Sequence, residues 1–481
     1  MSTVKSATSL FMVLLSTACA VGPDYQSPIP DEELGFSAII SKSQALEAGQ
    51  VVDDQWWESF ADSYLDQLVQ QAIASNQDIR AATARVQEAR SLRGVALAAN
   101  RPTLSAEASG TRSQQSQLAN FPPGIPTLFS LFDVGLAASW EPDLFGRISR
   151  RTEAASAQFE ASIEERRSVL QVVLAEVALN YVDLRMAQQQ LVLRKEQTEI
   201  AQQSLHLTEL LRGQELVDES ALLQARAEVN QRKAEVASLE GAVRAPAVRL
   251  AILIAKPPEQ VISSLLEPAA GSLAVPSIPV GLPSDLLRRR ADVRAAERRL
   301  AVASANLGQE TASLFPQFQL TGGLGSNALE LENLFTGPSQ AWELASVLSW
   351  PIIDGGRRDA AIAAARARYE SAFAAYDQAV LDALGDAETA FASYVFAAKE
   401  RDLLETVRID LQLAVELAAL RYESGLADRF ELLDAQDRLS ALDAQLTAAR
   451  RSELIAAVNV YRALGGGWAT AEEILSPADG S

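Results

Sequence analysis

Residues 132–140 read FDVGLAASW, and that stretch decides the fold. Phe132, Val134, Leu136, Ala138 and Trp140 alternate with Asp133, Gly135, Ala137 and Ser139, the two-residue period of a strand whose faces meet different surroundings. Beyond Trp140 the period becomes helical, and no proline occurs from Arg147 to Arg212. The same order returns further along. Trp342, Leu344, Leu348 and Trp350 alternate with polar or small residues such as Glu343 and Ser349, and a second proline-free run extends from Arg357 to Tyr422. Leu104, Ala106 and Ala108 begin a partner strand for the first stretch, and Phe318, Leu320 and Leu324 begin one for the second.

The chain is therefore duplicated. Phe145-Gly146-Arg147 recurs as Gly355-Gly356-Arg357, and the same offset of 210 pairs Tyr181 with Phe391, Leu222-Leu223 with Leu432-Leu433, Ala225 with Ala435 and Val248 with Val458. An offset of 214 pairs Asp78-Ile79-Arg80-Ala81-Ala82 with Asp292-Val293-Arg294-Ala295-Ala296, and Arg101-Pro102 with Phe315-Pro316. Each copy is one helix-strand-strand-helix-helix unit, contributing the same parts to a larger object.

Some 65 helical residues at 1.5 Å each extend roughly 100 Å, too long for a globule. Tyr369, Phe373, Tyr376, Val380, Ala383, Ala387 and Ala390 repeat in steps of four and three, the spacing of a coiled-coil seam. Phe159, Ile163, Leu170, Val173 and Val177 keep it in the first copy, where Arg166 interrupts it. Abundant alanine lets neighbouring helices approach on two sides. Each long helix turns back after a short break, at Gly213 to Glu219 and at Ser424-Gly425-Leu426-Ala427, with Gly425 placed as a C′ residue of positive φ and Asp428 as the next N-cap.

Strands of about ten residues cross an outer membrane when tilted. The loops between them, roughly Ser113 to Leu128 and Asn327 to Gln340, are long and rich in Pro, Gly, Asn and Gln, which suits an external face. Trp140 and Trp350 stand at strand ends as membrane-interface aromatics. Four strands cannot close a barrel, and an open edge has no hydrogen-bond partner in hydrocarbon, so strands that enter lipid require an oligomer.

The formal charge of −20 argues against nucleic acid as a partner. Arg288-Arg289-Arg290, the one basic run, reads as a solvated helix start. Residues 1–18 hold Lys5, an apolar run centred on Leu10 to Leu15 and then small residues, a secretory signal. Cys19, the sole cysteine, follows Ser16-Thr17-Ala18 and reads as the lipid-bearing first residue of the mature chain, although Ser16 occupies a place where leucine is usual. One histidine, His206, and one terminal cysteine leave no metal cluster and no nucleophile-base pair, so the reading is not an enzyme, with no cofactor and no metal. Gly322-Gly323-Leu324-Gly325 follows a strand and precedes no helix, a poor phosphate cradle.

Several long stretches resemble the TolC-like outer-membrane efflux factor family, in its lipoprotein (NodT/OprM-like) branch serving RND-type tripartite systems. They are Val21-Gly22-Pro23-Asp24-Tyr25 with Pro28, Gln55-Trp56-Trp57 with Phe60, LPSDLLRRRADVRAAERRL from Leu282 to Leu300, SWPIIDGGRR from Ser349 to Arg358, and RYESGLADRFELLDAQ from Arg421 to Gln436. Ala291 departs from the usual proline. The resemblance implies a mainly α fold with a transmembrane β-barrel portion, in which two tandem repeats each give two strands and a long helical hairpin. It further implies a homotrimer: three protomers form a twelve-stranded β-barrel and a periplasmic α-helical barrel, a passive exit duct for small molecules such as drugs. The partners implied are a periplasmic adaptor (membrane fusion) protein, an inner-membrane RND-type pump and outer-membrane lipid, with the chain lipid-anchored in the outer membrane and extending into the periplasm.

By the same resemblance the periplasmic gate and selectivity ring fall at the second hairpin turn. Glu431 and Asp434, three apart on one helical face, match acids lining the narrow entrance; Phe430 matches an apolar constriction, and Tyr422 a contact restraining the tip. The first hairpin departs, with Glu215 where glycine is common and Ala221 where some members carry a latching acid. The implied organisation is a signal peptide at 1–18, a lipid-anchored segment at 19–60, repeats at 61–270 and 271–470, and a tail at 471–481. A periplasmic coiled-coil adaptor or structural stalk is the rival, but an adaptor typically has one helical hairpin, whereas two hairpins in register with two strand pairs suit a channel wall.

Overall fold

The computed structural model describes residues 21–28, 46–48, 55–114, 116, 127–267, 273–280 and 289–467. The signal at 1–18, Cys19, the motif residues from Leu282 to Arg288 and the tail at 471–481 lie outside the described residues. In chain order the elements are β1 (Leu46–Ala48), α1 (Ser63–Ser75), α2 (Gln77–Ala98), β2 (Thr103–Gln114), β3 (Leu128–Trp140), α3 (Arg147–Gly213) and α4 (Glu219–Leu253). Then follow α5 (Pro258–Leu266), β4 (Ile278–Val280), α6 (Ala291–Ala312), β5 (Gln317–Ala328), β6 (Gln340–Ser349), α7 (Arg357–Glu423) and α8 (Arg429–Ala463). The duplication is structural: α3 and α7 are both 67 residues long and α4 and α8 both 35.

Two compact units emerge, and each draws on both repeats. One falls within residues 1–29, 85–162 and 295–377, the other within 30–84, 163–294 and 378–481. The first unit contains an antiparallel sheet in the order β2-β3-β5-β6, two strands from each repeat. Residues paired across antiparallel strands share a face. The register aligns Ala106, Leu136, Leu324 and Trp342 in one row, and Leu104, Ala138, Gly322 and Leu344 in the next. One face is thus apolar, continuing through Phe132, Val134 and Leu348, while Ser105, Glu107, Asp133, Gln319, Thr321 and Glu343 project from the other. No residue of the four strands is buried, and Trp342 and Leu344 are 80% and 79% exposed. Such a sheet has no core of its own.

On its polar face Gly135 lies opposite Gly325. A Cβ on Gly325 would stand 2.4 Å from the Val134 carbonyl oxygen and 2.7 Å from the Gly135 Cα, so the strands approach here only because side chains are missing. At the ends of β3 and β6 the indole N–H groups repeat one contact: Trp140 donates to the Asn100 carbonyl (3.2 Å) and Trp350 to that of Leu314 (3.0 Å). The second interstrand loop holds two short 3-10 turns, Leu331–Asn333 and Gly337–Ser339, and the Ser339 hydroxyl donates to the Leu334 carbonyl at 2.8 Å.

The second unit is built on the helical seams. Ala383, Ala387, Ala390 and Phe391 of α7 are buried, as are Leu170, Val173 and Val177 of α3. Trp56, Trp57 and Phe60 are buried too, and Trp56 stacks on Tyr461 with ring centroids 5.2 Å apart. Arg290 corrects the reading of a solvated basic run. Although Arg289 is exposed, the Arg290 guanidinium is buried, bonds both oxygens of Asp292 (3.0 and 2.6 Å), reaches Asp386 at 3.1 Å, and donates to the carbonyls of Ala383 and Ala463. Burial alone would raise the Asp292 carboxyl, but the bonds and charge of Arg290 prevail and hold it below the ordinary carboxylate range.

Glu453 of α8 is 0% exposed, with Arg401 at 3.4 Å and neither carboxylate oxygen hydrogen-bonded. Burial pushes its pKa up; Arg401 opposes the shift and Asp402 adds to it. A carboxyl held above its unfolded value contributes stability that is complete below about pH 4.3 and lost as pH rises through the folded value. Glu453→Gln should therefore raise the melting temperature of helical circular dichroism at neutral pH, by about 1–3 kcal/mol of stability, with the gap closing on acidification. A gap that widens as pH falls would contradict it. Gly325→Ala should cost about 1–3 kcal/mol by overpacking and reduce the yield of folded, heat-modifiable protein on gels, while Gly337→Ala, in open space, leaves it unchanged.

Candidate functional site

The second hairpin turn has the caps its sequence requires. Gly425 adopts φ +69°, its N–H donates to the Tyr422 carbonyl (3.0 Å), and Leu426 N–H reaches back to Arg421 (2.8 Å), closing the last turn of α7. Asp428 caps α8 by accepting from the Glu431 N–H at 3.0 Å. The first turn repeats this geometry at Glu215, whose φ is +61°, with Leu216 N–H bonded to Leu211 and Asp218 accepting from the Ala221 N–H. Glu215 and Gly425 are equivalent positions, so the glutamate carries backbone strain that the glycine avoids.

Glu431 and Asp434 are both exposed on α8, and each has its own cation. Glu431 pairs with Arg421 across the turn at 3.1 Å, tying the end of α7 to the start of α8. Asp434 pairs with Arg438 one turn along α8 at 2.9 Å. Phe430 is half-buried beside them, and Tyr422 is exposed, its hydroxyl without a hydrogen bond among the described residues. Within one chain, then, the structure brings Tyr422, Phe430, Glu431 and Asp434 to one turn and its following helix. Trp140 and Trp350 belong to the sheet instead, at its helix-proximal ends.

Sequence reasoning missed the cations. Arg438 was readable as the i+4 partner of Asp434. Arg421 was not, because its distance from Glu431 depends on how tightly the turn closes. Further links join the hairpins near the turns: Arg232 of α4 reaches Asp437 of α8 at 3.1 Å, and Arg429 donates to Gln203 of α3 at 3.3 Å. The Arg232–Asp437 pair is partly buried, whereas the two pairs at the turn are solvated and each contributes on the order of 0.2–1 kcal/mol. His206 is exposed on α3, and among the described residues no three His, Cys, Asp or Glu side chains are grouped to hold a metal ion.

With this geometry in hand, the sequence profile described as "Outer membrane efflux protein" matches residues 68–256 and 282–466, one match per repeat. Outer membrane protein OprJ of Pseudomonas aeruginosa is 31% identical over 464 residues, covering 96% of this chain and 95% of the relative. Cation efflux system protein CusC of Escherichia coli is 29% identical over 464 residues, covering 95% and 97%. Among solved structures, the outer-membrane channel OprN superposes with a TM-score of 0.85 at 33% identity, covering 94% of this chain and all of the other.

Replacing Glu215 with Gly should relieve about 1–2 kcal/mol of left-handed strain, slowing amide exchange in peptides spanning residues 211–219 roughly fivefold to thirtyfold where local opening controls it. Gly425→Ala should do the reverse at residues 421–429. Unchanged exchange in both variants would contradict the strain.

Proposed function

We propose, from the premise that this chain belongs to the outer membrane efflux protein family and is a channel subunit of the outer membrane, that three copies close one passive exit duct gated at the second hairpin turn. The observation that carries the reading is the four-stranded sheet with one apolar face, one polar face, no buried residue and two unpaired edges. A strand of 12 residues spans roughly 40 Å and, tilted by about 40°, about 30 Å of membrane normal, enough for the apolar band of a barrel. Three such sheets supply twelve strands. The polar face then lines the lumen, and Trp140 and Trp350 mark the periplasmic boundary of the hydrocarbon.

Energy for transport comes from partners, an inner-membrane RND-type pump joined through a periplasmic adaptor, a reading that the match to the outer membrane efflux protein family supports. The cargo is small molecules such as drugs or other toxic compounds, and Cys19 carries the lipid that anchors the mature N-terminus. At the tip, threefold symmetry makes rings of Glu431 and Asp434, with Phe430 as the apolar constriction and Tyr422 as a contact that restrains the tip. Each carboxylate keeps its arginine within the protomer, so the rings present alternating charge rather than bare anions.

Asp434→Ala leaves Arg438 uncompensated on the same helical face, so single channels in planar bilayers should lose cation selectivity. Charge reversal at Arg438 (Arg438→Glu) should increase it. Selectivity and conductance unchanged in both would remove Asp434 from the gate.

A further inference from the structure

Immediately beyond β6 and Trp350, the connection to α7 exposes two isoleucines almost completely, Ile352 at 84% and Ile353 at 91%. They do not hang on a loose loop. Arg358 donates to the Pro351 carbonyl (2.7 Å) and the Ser313 carbonyl (3.0 Å) and pairs with Asp354 at 3.1 Å, fixing the segment on either side of the pair. The start of α7 is served separately by Asp354, which accepts from the Gly356 N–H.

The internal repeat supplies the control. At the offset of 210 the equivalent residues are Pro142 and Asp143, and there Asp143 caps α3 by accepting from the N–H groups of Ile148 and Ser149 while Glu141 chelates Arg147. In the second repeat the polar contacts of the connection fall to Asp354, which accepts from the Gly356 N–H and pairs with Arg358, so they do not require apolar side chains at 352 and 353. The pair does continue an existing surface. Leu344, Leu348 and Trp350, all more than half exposed, lead down the apolar side of β6 directly to it.

We infer that Ile352 and Ile353 form an apolar foot set into the periplasmic leaflet of the outer membrane, contacting phospholipid at the glycerol and upper acyl level. This rests on the proposed reading that the apolar sheet face meets lipid and that the helices lie on the periplasmic side. The foot belongs to the second repeat alone, so a trimer would press three feet into the leaflet, alternating with three charged connections at Glu141 and Arg147. Their role is to fix how deeply the barrel sits.

The test uses nitroxide labels on Ile353→Cys, Leu344→Cys and Glu343→Cys in the full chain reconstituted into phosphatidylethanolamine/phosphatidylglycerol vesicles. Signal from Cys19 is measured in the chain without an added thiol and subtracted. At 353, collisions with oxygen should exceed those with a water-soluble nickel chelate, as they should at the lipid-facing 344 control, whereas the lumenal 343 should favour nickel. A nickel-accessible 353 beside an oxygen-accessible 344 would overturn the foot while sparing the barrel. A 353 label shielded from both reagents would mean that a second copy covers it, and would equally overturn the foot. Loss of oxygen preference at 344 itself would sink the lipid-facing reading and the inference with it.

Discussion

A backbone N–H or carbonyl at the edge of a sheet needs a partner, and hydrocarbon offers none. Among the described residues β2 and β6 each have one neighbour and one bare edge, and the sheet they bound has no buried side chain on either face. Water would satisfy the edges but not the apolar face that Leu104, Leu136, Leu324, Trp342 and Leu344 present; lipid would satisfy the face but not the edges. Only closure against further copies of the same sheet answers both demands. On the polar side the strands approach closely at Gly135 and Gly325, where a Cβ would meet backbone atoms.

What the sheet lacks, the helices provide. Stability resides in alanine-rich seams and in a second unit whose aromatic cluster and buried Arg290 tie segments far apart in sequence. The second helical tip is different in kind, held by two exposed ion pairs and a capped turn. Duplication makes the divergence between repeats informative. Where geometry alone decides, the copies agree, as in the paired helix lengths and the two tryptophan contacts. They differ at Glu215 against Gly425, in the hairpin turns, and at Pro142-Asp143 against Ile352-Ile353, in the connections from strand to long helix.

Much of this was legible in the sequence because periodicity reports local geometry. The alternation from Phe132 to Trp140 sits inside β3, the proline-free runs match α3 and α7 to within a residue, and Gly425 and Asp428 take the cap positions their chemistry suggests. The spacing of Glu431 and Asp434 gave their shared helix, yet not the pairing of Glu431 with Arg421, which depends on the closing of a turn. Arg290 was misread for a stronger version of the same reason: Asp386 and Ala463, its partners, lie on other helices, so no local pattern distinguishes it from exposed Arg289. Nor does composition disclose that Glu453 is buried nearly bare.

The claim on which the account rests is that one chain cannot complete the sheet, and counting chains tests it most directly. Native mass spectrometry of the protein ejected from lipid nanodiscs should give particles of three copies of the chain, whose full sequence has a mass of 51.7 kDa. Folded particles holding a single copy in the membrane would contradict it.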